Sequence, residues 1–255
     1  MDSFKLGKLD SMPSRNYIII GGTRGIGRSF FKMIQGTAGK VAVVGRTWRD
    51  QGYRNVKFFN IDLENVVGLT QGLGEIVDWI EHVNYLVFCQ RARAEVISSE
   101  QEFNVSLLAT SRILDELKSV FKEGSDSSVA IVTSVASRFV LLEQNLAYHV
   151  NKAALEQLVR WYAVQWAARG VRFNAVAPGV VVKEEASDWY AEHPAVLERK
   201  SSIIPLGRVG EPEDVGNLID FLCSGKSKFL TGQVITIDGG MSLVGHESMV
   251  SNFKK

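Results

Sequence analysis

A chain of 255 residues is long enough to bury the core of one larger α/β domain, and a formal net charge of +1 with 22% charged residues gives no electrostatic reason to expect nucleic acid or an anionic membrane as partner. The two cysteines, Cys89 and Cys223, each lie inside an apolar run, which points away from a disulfide framework or a cysteine metal cluster. No apolar stretch approaches a membrane span, so the expectation is a cytoplasmic protein acting on a small molecule.

A polar leader, residues 1–15, precedes a β-branched run over 16–20 that reads as a buried strand and stops at Gly21-Gly-Thr-Arg-Gly-Ile-Gly27. Residues 28–35 read as a helix, so the glycines become the hinge of a βα unit. At such a hinge, backbone amides at a helix N-terminus approach a phosphate closely. Residues 40–46 form the second strand, whose end is where a dinucleotide fold meets the adenosine ribose. An acidic residue there would bind the ribose 2′-hydroxyl and repel a 2′-phosphate. This chain has Gly45-Arg46 instead, with Arg24 inside the glycine loop, and two cations without a carboxylate favour NADPH.

The polar stretch 47–55 leaves little room for a crossover helix before a third strand over 56–62. Asp62, at its end, is suited either to hydrogen-bonding adenine or to capping the helix expected over 64–82. A fourth strand over 85–89 leads to a second long helix, 100–122, that carries Asn104, and a fifth strand over 128–134 ends on the hydroxyl of Ser134. Apolar residues then recur at helical spacing across 146–169, including Leu155, Val159, Tyr162 and Trp166, and predict one long helix with a broad buried face. Tyr148 and Lys152, one turn apart near its start, project from the same face. A free tyrosine has a pKa of about 10, and a fixed neighbouring cation favours phenolate, so the pair is a candidate acid/base; the plainer alternative is a half-buried tyrosine beside a solvated lysine. Strand 171–177, the turn Pro178-Gly179, an aromatic segment to residue 200, helix 213–223, strand 233–238 and a polar tail over 245–255 complete the chain. This alternation predicts a single α/β domain over 1–255, a three-layer doubly wound Rossmann fold with a parallel seven-stranded sheet.

From about residue 16 to residue 240 the chain closely resembles the classical short-chain dehydrogenase/reductase family. The family's G-x-x-x-G-x-G loop corresponds to Gly21, Gly25 and Gly27, its Y-x-x-x-K to Tyr148 and Lys152, and its N-A-V-A-P-G to residues 174–179; segments 205–214 and 229–240 are similar too. The resemblance implies a tetrad of Asn104, Ser134, Tyr148 and Lys152 in an NADP(H)-dependent carbonyl reductase or alcohol dehydrogenase. Tyr148 would exchange the proton of the substrate oxygen as general acid/base, Ser134 would hold that oxygen, Lys152 would bind the nicotinamide ribose, and Asn104 would position a relay water. The implied cofactor contacts are Gly21, Thr23, Arg24, Gly25, Ile26, Gly27, Arg46, Asp62, Leu63, Tyr148, Lys152, Pro178, Gly179 and Val181, with no metal. Residues 180–200, with Trp189, Tyr190 and His193, take the place of the substrate lid. A homo-oligomer is expected, a tetramer or else a dimer, pairing the Tyr148 and Asn104 helices through apolar positions that include Trp161 and Trp166, with the last strand at a sheet edge as second contact.

Four features depart from the family pattern. Ile20 stands where threonine is usual, Phe88-Cys89-Gln90-Arg91 replaces N-N-A-G, Lys183 replaces the threonine after the P-G turn, and the interval from Ser134 to Tyr148 is one residue longer than the commonest spacing. Arg91, Arg93 and Lys183 together would attract an anionic substrate. The competing expectation is a catalytically weak member acting as a cofactor-binding regulatory or structural subunit; retention of all four tetrad residue types favours an enzyme.

Overall fold

Seven apolar runs pair into one parallel sheet in the order β3-β2-β1-β4-β5-β6-β7, where β1 is Tyr17–Ile20, β2 Val41–Gly45, β3 Val56–Asn60, β4 Tyr85–Phe88, β5 Ser127–Val132, β6 Val171–Pro178 and β7 Val234–Ile237. The computed structural model describes residues 15–92, 97–121, 126–245 and 247–248. Leader residues 1–14, Arg93, and all of the tail except Gly245, Glu247 and Ser248 therefore lie outside the described residues. Alternate residues of each strand feed opposite layers: Ile18, Ile20, Ala42 and Val44 face one core, while Tyr17, Ile19, Val41 and Val43 face the other. The first core is closed by α2 (Val66–Ile80), α4 (Ala109–Leu117) and α5 (Leu146–Gln165), and the second by α1 (Gly25–Ile34) and α8 (Pro212–Leu222). This is the expected three-layer Rossmann architecture.

No helix joins β2 to β3. Trp48 performs its covering role, meeting Phe31 edge-on at 5.2 Å and stacking on Phe58 at 5.6 Å. α1 begins at Gly25, three residues ahead of the expected start. The long helix expected over 100–122 is broken into α3 (Ser99–Glu102), a π-helical stretch Phe103–Leu108 and α4, with the carbonyl of Asn104 accepting from the amide of Ala109. α5 ends earlier than expected because its final turn tightens over Ala167–Arg169 and stops at left-handed Gly170, φ 74°.

Trp166, expected to help form a subunit contact, belongs to the core instead. It packs against Phe121, Tyr162 and Phe173 at 5.6, 5.6 and 5.1 Å, because the α5 face that carries it lies over β6. Trp161 is more than half exposed. β7 forms one edge of the sheet, as expected. Between α5 and α8 the chain folds the segment after β6 into α6 (Ser187–Glu192) and α7 (Pro194–Ser202). Among the described residues no helix is long and apolar enough to cross a membrane.

Candidate active site

All seven strands run the same way, so their C-terminal ends deliver loops to one rim, and the winding reverses between β1 and β4. There a cleft of about 1320 Å³ opens, lined by residues from the loops after β1 through β6. At one end of it the turn after β1 is packed to contact. Gly21 has φ 76°, and a Cβ on it would lie 2.6 Å from the Gln90 nitrogen, while one on Gly27 would lie 2.3 Å from the Gly21 carbonyl oxygen. Arg24 caps α1 without any side-chain hydrogen bond to the first-turn amides. Those amides are left for an anion, and the glycine cradle lets it come close, so the residues present fit a dinucleotide pyrophosphate.

Arg24 and Arg46 both line this end, with Thr23, Ile26, Asp62, Leu63 and Glu64. Asp62 does not cap α2. Asn65 does so, accepting from the Gly68 amide at 3.0 Å, while Asp62 accepts from the Glu64 amide at 3.1 Å. Gly25 and Gly27 are buried beneath the loop and are absent from the cleft lining.

The cleft lining also includes Ser134, Tyr148 and Lys152, together with Pro178, Gly179 and Val181. Asn145 caps α5 by accepting from the Tyr148 amide at 2.8 Å, which holds Tyr148 in the first turn. The Ser134 hydroxyl accepts from the Ala136 amide at 3.1 Å and, having no acceptor among the described residues, keeps its own proton to donate. Lys152 is buried, donates to the Val132 carbonyl at 3.1 Å and lies 5.5 Å from the centre of the Tyr148 ring. Burial lowers its pKa from 10.5 to about 8; Glu102 opposes the shift and Arg91 adds to it. Asn104 is not on the cleft wall. Its neighbour Val105, on the same π-helical stretch, is.

The loop that carries Phe88-Cys89-Gln90-Arg91 in place of N-N-A-G makes contacts that the linear chain does not announce. Gln90 Nε2 donates to Thr110 Oγ1 at 2.7 Å, Thr110 Oγ1 to the Ser106 carbonyl at 2.6 Å, and Ser106 Oγ to Glu102 Oε1 at 3.0 Å. This ladder ties the loop after β4 to the irregular helix behind the cleft. Burial pushes the Cys89 thiol up to about 12, so it stays neutral. Arg91 lines the wall, donates to Gln144 Oε1 at 2.7 Å and places its guanidinium carbon 4.9 Å over the Tyr148 ring.

Lys183 also lines the cleft, and its methylene stem rests against Gly25. Arg28 secures this region by a bidentate bond to Asp50, at 2.8 and 2.9 Å, and a third bond to Glu184 at 2.5 Å. On α6, Tyr190 faces the cleft whereas Trp189 stacks on His193 at 4.3 Å. Among the described residues no group of three or more histidine, cysteine or carboxylate side chains could hold a metal ion.

The family model described as Enoyl-(Acyl carrier protein) reductase matches residues 83–242. Two Arabidopsis thaliana tropinone reductase homologues, one of them chloroplastic, are each 29% identical to this chain; the alignments cover 92% of it and 78% of the chloroplastic protein, and 93% of it and 94% of the other. The fold is similar to that of ElxO with NADP bound (TM-score 0.80, 22% identity, 91% of this chain and 100% of that one). It is also similar to the aldohexose dehydrogenase of Thermoplasma acidophilum (TM-score 0.79, 20% identity, 91% and 96%). The chain belongs to the short-chain dehydrogenase/reductase family of oxidoreductases.

The depressed pKa of Lys152 has a consequence for stability. Its amine binds its proton less readily in the folded than in the unfolded chain, so its burial costs most below pH 8 and the cost fades as pH rises from 8 towards 10.5. Lys152→Met removes that penalty, and its stability relative to wild type should be more favourable at neutral pH than near pH 10 by roughly 2 to 3 kcal/mol. Urea unfolding at the two pH values checks this, and an equal difference at both would refute it.

Proposed function

We propose that the protein is an NADP(H)-dependent carbonyl reductase, able to run the reverse alcohol oxidation, with Tyr148 as general acid/base. The observation that supports this reading is that Ser134, Tyr148 and buried Lys152 line the same cleft as a glycine turn that fits a pyrophosphate, with the Lys152 amine 5.5 Å from the Tyr148 ring. The nicotinamide, when bound, supplies or accepts the hydride. Ser134 donates its free proton to the substrate oxygen and fixes it near the phenol. Tyr148 passes a proton to that oxygen during reduction or removes it from an alcohol. Lys152 keeps donor capacity beyond the Val132 carbonyl, which suits it to bind ribose hydroxyls. Asn104, next in sequence to the cleft-lining Val105, is assigned the supporting role of ordering a relay water towards Lys152.

NADPH over NADH is supported by Arg24 and Arg46 at the nucleotide end, with no acidic residue closing β2. A relative of the same fold carries NADP. Phe139, Leu141, Tyr190, Ile203 and Val244 line the substrate end and favour an apolar or ring-containing ketone. The competing reading of a catalytically weak regulatory subunit draws on the loss of N-N-A-G and on Lys183 in place of threonine; retention of all four tetrad residue types supports the enzyme. A homo-oligomer is supported by exposed Leu108, Trp161 and Val164 on the π-helical stretch and α5, and a tetramer by the additional open edge of β7. A cytoplasmic location belongs to the same proposal, although one relative is named as chloroplastic.

Tyr148→Phe should lower turnover by about 10² to 10⁴-fold while leaving NADPH affinity intact. NADPH consumption with a panel of diketones, keto esters and cyclic ketones measures this, and near-wild-type kcat in the variant would remove the acid/base assignment. Joint replacement of Arg24 and Arg46 by alanine should weaken NADPH binding by at least about tenfold and NADH binding little. Fluorescence titration with both cofactors decides it. Light scattering should give four times the mass of one chain; twice would leave only the helix contact, and the mass of a single chain would dismiss the assembly.

A further inference from the structure

The chain from Arg138 to Asn145 forms neither helix nor strand, and it leads from the Ser134 end of β5 into the Tyr148 helix. Phe139, Leu141, Glu143 and Gln144 on this loop line the cleft. Val140 and Leu142, on either side of Leu141, are 81% and 94% exposed, so burial of these side chains does not hold the loop in place. Hydrogen bonds are left a large share of the task of fixing Leu141.

The Leu141 amide donates to His149 Nε2 at 2.8 Å, and His149 Nδ1 lies 2.8 Å from the Asn145 carbonyl oxygen. An amide N–H can only donate and a carbonyl can only accept, so Nε2 is bare and Nδ1 carries the proton. A single neutral tautomer of the ring satisfies both bonds. Asn145 also caps α5 through its side chain, which accepts from the Tyr148 amide at 2.8 Å. Leu141 is thereby joined to the helical turn that carries Tyr148, and the His149 ring meets that phenol edge-on at 6.1 Å. The end of the loop has a tie of its own, since Gln144 Oε1 accepts from Arg91 at 2.7 Å.

We propose that His149 is a positioning residue that determines specificity: it latches Leu141 to the first turn of α5 and so sets the room that the cleft offers to ring-containing ketones. This rests on the reading of the cleft as the site of a ketone reductase. A substrate that reaches Leu141 gains apolar contact from a wall held in register with the phenol, whereas one too small to reach it gains nothing. The latch is therefore a device of binding rather than of proton transfer. Its loss removes contact made alike in the bound substrate and in the transition state, which raises KM and leaves kcat little changed. The helix start does not depend on it, because the Asn145 side chain caps α5 through a separate bond.

Three variants of the full-length protein separate the two ring nitrogens. His149→Phe removes both; the longer amide of His149→Gln can place an acceptor where Nε2 stands, and the shorter one of His149→Asn can serve only the Asn145 carbonyl. Hydrogen exchange of the peptide spanning residues 138–145, read by mass spectrometry, should quicken about fivefold at Leu141 in His149→Phe and His149→Asn and stay slow in His149→Gln. With NADPH, KM for phenylcyclohexanone should rise roughly tenfold in the first two variants at little-changed kcat, while KM for butanedione should hold. His149→Gln should restore the wild-type values, and His149→Asn decides the matter if His149→Phe does not fold. Unchanged exchange at Leu141 in a folded variant overturns the latch. Equal losses on both ketones, or a His149→Gln protein no better than His149→Asn, overturn the specificity role. Failure of the reductase reading shows itself separately, as turnover that survives Tyr148→Phe, and the exchange measurement needs no substrate.

Discussion

The reversal of winding between β1 and β4 is the constraint from which the remaining geometry follows. β1 pairs with β2 on one side and β4 on the other, so the connections leaving these strands diverge and leave a gap between them at the C-terminal rim. Parallel pairing forces every strand end to that rim, since each crossover must return to the far side of the sheet before the next strand begins. Gly21, Arg46, Asp62, Arg91 and Ser134 thus meet in one cleft although a different strand delivers each. The glycine turn closes the floor only because Gly21 and Gly27 have no side chain to separate it from the loop after β4.

Electrostatics then shapes the opposite end. Lys152 is held in the core with a backbone carbonyl rather than a carboxylate as its hydrogen-bond acceptor, an arrangement that costs stability and is tolerated because burial can depress its proton affinity. Glu102 supplies a distant opposing charge. It is itself buried and satisfied by Ser106, and the ladder from there through Thr110 to Gln90 connects this charge to the loop after β4. Each neutral bond in such a ladder is worth about 1 kcal/mol net, so its effect lies more in fixing the loop than in stabilising the fold. Arg28 performs a comparable service elsewhere, clamping the loop after β2 and the segment after β6 to α1.

The alternation of strands and helices, the glycine turn, the absence of a helix between β2 and β3 and the early position of Tyr148 on its helix were all legible in the chain. Each is a local matter of side-chain period, backbone freedom or available length. The π-helical stretch was not legible. Residues 100–117 have an ordinary helical pattern, and the widened turn at Asn104 coincides with the buried bonds of Glu102, Ser106 and Thr110. Trp166 was misplaced for a similar reason: apolar spacing marks a buried face without saying whether the sheet or a second subunit buries it.

The sequence by itself determined which residue types could serve as phosphate cradle, hydroxyl donor, phenol and amine, because backbone permissiveness and side-chain chemistry belong to single residues and short spacings. Only the tertiary structure decided that Lys152 lies buried against a carbonyl, that Val105 rather than Asn104 lines the cleft, and that Arg91, bonded to a partner 53 positions away, lies over Tyr148. Those outcomes depend on how separate strands and helices stack, and desolvation and charge proximity exist only once that stacking has brought distant groups within a few ångströms.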